Sequence, residues 1–205
     1  MHKAGMGLGE DLVRVERLPV HDRVWRQAEI ERANTLLARV VPQAAVGFKA
    51  IIASRATSHD LAIARVVKAE LPLAACAWDF KASNLVYTVD RGPVLVDPDH
   101  GACIPRLYDL ACCALLFHCD CATAPGQLFS ESQWTGFLAG YNTSVTFSMV
   151  EHRHWFDVLT AAWMDQALWL LANWPEGWEN SRDRDFLTDL ASNSLATFGA
   201  SVGRK

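Results

Sequence analysis

The segment from residue 148 to 173 constrains the fold more than any other. Trp155, Val158, Leu159, Ala162, Trp163, Leu168, Leu170 and Leu171 spread over most faces of one helix. A helix that is apolar nearly all round has to be central and buried. Other elements must pack around it, and helical periodicity supplies them. Asp22 can cap a helix over 22–41, with Ala33, Leu36, Leu37 and Val40 on one stripe and Pro42 at its end. Ser58 or Thr57 is positioned to cap a second helix reaching about Glu70, with Ile63, Val66 and Val67 inward and Pro72 beyond it. Residues 47–53 fit either a short strand or a helix turn. Ser130 with Gln133 has the spacing of a capping box for a helix over 130–141, and another helix is expected over 183–198.

The texture changes at Leu73. Leu73–Trp78, Asn84–Val89 and Pro93–Val96 are short apolar runs, the last two separated by the turn-forming Asp90-Arg91-Gly92. This predicts a β-hairpin behind a polar loop. Pro105 then suits the first position of a returning helix, carried by Leu107, Leu110, Ala111, Ala114 and Leu115. The fold class is therefore mainly α with a small β-hairpin (α+β). Residues 119–129 read as a loop.

With half its 205 residues hydrophobic and a fifth charged, the chain can bury a core. Its net charge of −4 gives no broad attraction to nucleic acid or anionic lipid, and no apolar run has the length of a membrane span. The start of the chain lacks the apolar core of a secretion signal, so a soluble cytoplasmic protein is expected. The six cysteines include none in CxxC spacing. Cys112, Cys113, His118, Cys119 and Cys121 cluster, but adjacent cysteines rarely share one zinc ion and are read as reduced thiols. Gly5, Gly7 and Gly9 form a GxGxG run with too little chain before it for the strand a phosphate loop needs.

The chemistry lies in Asp79-Phe80-Lys81-Ala82-Ser83-Asn84, then Asp97-Pro98-Asp99, then Arg106-Leu107-Tyr108-Asp109-Leu110-Ala111. Phosphoryl transfer needs an oriented acceptor hydroxyl, metal ions on the phosphates, and positive charge on the moving group. Asp79 would accept the acceptor's proton or orient its hydroxyl. Asn84 would offer an amide oxygen to Mg²⁺, and Asp97, carried back by the hairpin, a carboxylate to the same ion. Few, hard oxygen ligands completed by phosphate and water suit Mg²⁺. Lys81 would direct its ammonium at the phosphoryl group. Asp99 is either a secondary contact or a turn residue, and His100 reads as a polar turn residue. Singly, Asp and Asn are ordinary turn formers; their joint spacing is what points to chemistry.

This order of motifs resembles the catalytic core of the protein-kinase-like fold and is more similar to the aminoglycoside/choline kinase-like phosphotransferases. The likeness covers about residues 73–117. It implies a kinase-like C-lobe over 22–205, behind an irregular segment 1–21. Within it, the catalytic loop and hairpin occupy 73–100 and a helical substrate-side subdomain 105–200. It further implies ATP or GTP as donor, Mg²⁺, and a hydroxyl of an aminoglycoside, sugar or amino alcohol as acceptor. Asp109 matches an aspartate whose role in the family is to support the catalytic loop.

Two departures qualify the resemblance. The family's usual His and Gly before the catalytic Asp are Ala77 and Trp78 here. Trp78 must find room beside the loop, or line the acceptor pocket. The N-terminal β-lobe that covers the nucleotide is also missing from the pattern: residues before Asp79 read as helical, and Lys49 reads as a surface lysine rather than the strand lysine of such a lobe. The alternative reading is a catalytically silent, pseudokinase-like binding module. An exposed apolar face where the lobe would pack predicts either a protein partner over it or poor solubility.

Overall fold

The computed structural model describes Leu18 and residues 21–90, 92–97 and 101–199. The glycine run at 5–9, most of segment 1–21, Asp99 and His100 lie outside these residues. The fold is mainly helical, with two small antiparallel sheets.

Helix α1 spans Arg23–Val40, and Asp22 caps it by accepting from the Trp25 amide at 2.7 Å. Ala33, Leu36 and Leu37 are buried as the stripe predicts. Helix α2 is longer than expected. It runs unbroken over Ala45–Val66, so residues 47–53 are helical and Thr57 and Ser58 cap nothing. Their hydroxyls instead donate to the carbonyls of Ala53 and Ser54, four residues back, at 3.1 and 3.3 Å. That local bond lets Ser and Thr sit inside a helix. Of the three residues expected inward, Val66 is buried and Ile63 partly so, but Val67 is exposed. Lys49 is an exposed residue of α2.

Strand β1 (Leu73–Cys76) pairs with β4 (Ala102–Pro105), Leu73 opposite Pro105 and Cys76 opposite Ala102. Between them the expected hairpin forms, β2 (Leu85–Thr88) against β3 (Gly92–Leu95). Gly92 has φ +68°, the left-handed conformation that a tight turn needs and glycine adopts without cost. Pro105 ends β4 rather than opening the next helix, and α3 runs over Arg106–Leu116.

Helix α4 (Glu131–Asn142) carries the capping box: Ser130 Oγ accepts from the Gln133 amide at 3.3 Å, and Gln133 Oε1 from the Ser130 amide at 2.8 Å. The apolar segment forms α5 (Met149–Ala162), a π turn (Trp163–Ala167) and α6 (Leu168–Asn173). It is central: α2 and α3 pack on α5, and α1 on α6. Helix α7 (Ser181–Ser192) follows. Trp134 and Trp155 stack at 5.8 Å, and both indole N–H groups donate to the Phe198 carbonyl, at 3.2 and 2.9 Å. Trp163 donates to Leu190 O at 3.0 Å. These three indoles thus bury their area without orphaning a donor.

One buried ion pair locks α3 to α5. Arg106 Nε and one terminal nitrogen bond the two Glu151 oxygens at 2.7 Å each, and Glu151 also accepts from the Ser148 amide and hydroxyl. Burial opposes charge on Glu151, but the Arg106 and Ser148 bonds outweigh it and hold the carboxyl below its usual range. Among the described residues, no helix is long and apolar enough to cross a membrane.

Candidate active site

The loop between β1 and the hairpin is held from three sides. From α3, the buried Asp109 carboxylate accepts the Trp78 amide at 2.8 Å. From the end of the same helix, the Phe117 carbonyl accepts the Ala82 amide at 2.7 Å. From the hairpin, the Val96 amide donates to the Asn84 carbonyl at 2.9 Å. Trp78 has φ +57°. A left-handed conformation is costly for a large side chain and free for glycine. The backbone at 78 therefore has a shape that glycine would take without cost, and the Asp109 bond and an edge contact of the indole with Tyr108 (6.4 Å) accompany the strain.

Asn84 is buried, and its side-chain NH₂ donates at 2.9 Å to both the Asp79 carbonyl and Asp79 Oδ2. Two acceptors on one side fix which end of the amide faces Asp79. The amide oxygen is left on the other side, with only a 3.5 Å contact from Ser83 Oγ. Asp97 is exposed and stands immediately after Val96, so the bond from Val96 to Asn84 keeps the two residues near one another. Asp97 has φ +57°, which an aspartate tolerates. An amide oxygen and a carboxylate are hard donors suited to Mg²⁺ if phosphates and water complete the shell. Asp79 and Asn84 are thus directly bonded, and Asp97 is tied to them through the backbone.

Lys81 was expected to face a phosphoryl group. Its ammonium lies 3.3 Å from Asp79 Oδ2 and 3.3 Å from Asp120 Oδ2. Burial works against its charge, but the two carboxylates outweigh this and raise its pKa. Asp120 is absent from the sequence motif. It sits in the loop after α3 at φ +54°. That loop is pinned by α7: the Arg182 guanidinium reaches the His118 carbonyl and, at 3.4 Å, that of Ala124, while Asp189 accepts the Leu128 amide at 2.8 Å.

Asp79, Lys81 and Asp120 border a cleft of about 480 Å³ whose walls include Trp25, Trp78, Trp169 and Asp165. Trp78 thus lines the cleft beside the loop. Trp134, Trp155 and Trp163 are core, while Trp169 is half exposed at the cleft. Cys112 and Cys113 are buried in α3, where burial pushes both thiols up and makes them inert hydrophobes. No protein-family model, curated protein or solved structure matches this chain.

Proposed function

We propose that this chain is a phosphotransferase of the aminoglycoside/choline kinase-like type. It would move the γ-phosphoryl of ATP or GTP to a hydroxyl of a small polar molecule. The observation that carries the reading is the Asn84 side chain, whose NH₂ bonds the Asp79 carboxylate, on a residue that the hairpin ladder sets opposite Val96, immediately before Asp97. The left-handed Trp78 and its bond to Asp109 support the same reading, because they match the loop shape and support that the family implies.

In this mechanism, Asp79 orients the acceptor hydroxyl and takes its proton at Oδ1 or Oδ2. The Asn84 NH₂ keeps that carboxylate pointed into the cleft. Lys81 is held by two carboxylates until a phosphate competes for it, and then neutralises charge on the transferred group. Asn84 Oδ1 and Asp97 are the residues that would hold Mg²⁺, which supplies charge neutralisation on the donor phosphates when bound. The hairpin exposes Val86, Tyr87, Val94 and Val96. These apolar side chains suit a covering lobe or partner over the nucleotide.

The test is transfer of labelled γ-phosphoryl from Mg²⁺-ATP or Mg²⁺-GTP to a panel of amino alcohols, aminoglycosides and sugars. Asp79→Asn should lower the rate by about 100- to 10,000-fold, the usual range for loss of a general base. The second reading, a silent binding module, is favoured by Ala77 in place of the family's histidine. Absence of transfer by the wild-type chain with every donor and acceptor would establish it over the enzyme.

A further inference from the structure

Phosphoryl transfer as drawn above gives no reason for a tryptophan at position 78. Its φ of +57° is one that glycine adopts freely and a large side chain rarely does. Strain of this kind persists only where the surrounding structure over-determines it, and it gathers at functional sites. Trp78 is over-determined in that sense. Its amide is bonded to the buried Asp109 carboxylate at 2.8 Å, and its indole meets the fully buried Tyr108 ring edge-on, with centroids 6.4 Å apart. An indole turns about only two side-chain torsions, so a wall made from it yields little.

The lining of the cleft indicates which reactant that wall meets. Asp79 and Lys81 border the cleft, whereas Asn84 and Asp97, the residues that would hold Mg²⁺ and the donor phosphates, are not among its lining residues. In the phosphotransfer reading the cleft is therefore the acceptor's side of Asp79. Its other walls come from the start of α1 (Trp25), the end of α3 and the loop after it (Leu116, Asp120), and the π turn with α6 (Asp165, Trp169). The loop is bonded to α7 through Arg182 and Asp189, so it does not yield freely either. The cleft volume of about 480 Å³ is in the lower half of the range for small-molecule sites, about 300–1,000 Å³.

We propose that Trp78 is the specificity-determining residue of this cleft: its indole fills space beside Asp79 that a glycine would leave open, and limits the phosphoryl acceptor to a single ring or a short chain. The identity of the ligand as an acceptor rests on the phosphotransfer reading; the size limit rests on the geometry. A molecule of two or three linked rings reaches Asp79 only by displacing the indole, which the Asp109 bond and the Tyr108 contact oppose. A single ring meets no such obstacle. The strain at 78 is then the cost of keeping a large side chain where the chain would more easily carry none.

The experiment has two arms. The first compares kcat/KM for transfer from Mg²⁺-ATP to matched acceptors: glucose against maltotriose, and deoxystreptamine against a three-ring aminoglycoside built on it. Wild type should favour the single ring at least tenfold. Trp78→Gly and Trp78→Ala should each move that ratio at least tenfold toward the three-ring acceptor. Both must do so, because the gain comes from the lost indole, although only glycine also relieves the strain. Glu131→Gln, at an exposed position of α4, should leave the ratio unchanged. The second arm needs no turnover. Lys81 is acylated with acetic anhydride or with a bulky naphthoate succinimidyl ester and read by peptide mass spectrometry. The bulky-to-small ratio should rise at least fivefold at Lys81 in both variants and stay constant at the exposed Lys49 of α2. Should both variants fail to fold, Trp78→Phe must still shift the Lys81 ratio at least twofold. A gain confined to Trp78→Gly, equal gains for small and large acceptors, or an unchanged Lys81 ratio overturns the proposal. The Lys81 shift without transfer to any acceptor sinks only the enzyme reading; transfer that ignores ring number in wild type and variants sinks only the size limit.

Discussion

The Trp78 amide donates to the Asp109 carboxylate at 2.8 Å while Trp78 itself holds a φ of +57°. The bond ties the first turn of α3 to the backbone just before Asp79. It also sets up an inversion of the usual ranking of glycine and alanine. Alanine keeps the left-handed strain, whereas glycine removes it, and either supplies the amide that Asp109 accepts. Trp78→Gly should therefore be more stable than Trp78→Ala by about 1 kcal/mol. Equilibrium urea unfolding of the two variants measures the difference, and the opposite order would mean that the strain at 78 is not real.

The Arg106–Glu151 pair is buried on both sides, so removing one partner leaves the other charge uncompensated. Glu151→Gln should cost about 3 kcal/mol at neutral pH. The pH dependence has a definite sign. Glu151 is lowered in the folded protein, so its contribution is complete above the unfolded carboxyl value of about 4.3 and disappears as pH falls through the folded value. The gap between wild type and variant should be constant from pH 5 to 8 and should close in acid. A gap that widens in acid contradicts this assignment.

Gly126 is held by space rather than by conformation. A Cβ there would meet the Arg182 carbonyl oxygen at 2.8 Å, a backbone atom that cannot rotate away. Gly126→Ala should cost about 1–3 kcal/mol through overpacking, and should loosen the loop that carries Asp120. Gly136, in α4, has nothing within 4 Å of its would-be Cβ. Gly136→Ala should therefore raise stability by about 0.5–1 kcal/mol. Melting temperatures of the two variants should move in opposite directions.

Ser58→Ala and Thr57→Ala separate a helix interior from a cap. Loss of a capping hydroxyl would cost about 1 kcal/mol. In an unbroken α2 both changes should stay within about 0.5 kcal/mol of wild type, with undiminished helical signal by circular dichroism.

These residues also show what could be read from the sequence. Ser and Thr before an apolar stretch have the pattern of a cap, and only the continuity of the backbone reveals that their hydroxyls turn inward to Ala53 and Ser54. Strand β4 was not anticipated. Four apolar residues buried throughout have no readable period, and the partner strand lies far back in the chain. Capping at Asp22 and Ser130, the hairpin, and the grouping of Asp79 with Asn84 were legible because each depends on neighbours a few residues apart. Asp120 and Asp165 were not. One stands in a cysteine-flanked loop and the other within an apolar helix, and tertiary packing alone brings them to one cleft. The π turn likewise leaves the sequence with an ordinary helical appearance.

The pairing of β1 with β4 encloses everything from Ala77 to Gly101 between two adjacent strand ends, Cys76 opposite Ala102. That segment contains the loop, the hairpin and four of the five residues first singled out, while the helices outside it carry most of the hydrophobic core. The strands act as a clasp around two unlike halves. The loop half is bonded to α3 and its end at Trp78 and Ala82, whereas the turn of the hairpin half lies beyond those bonds and can change length without breaking them. The turn is thus free to drift while the loop stays tied to the helical framework.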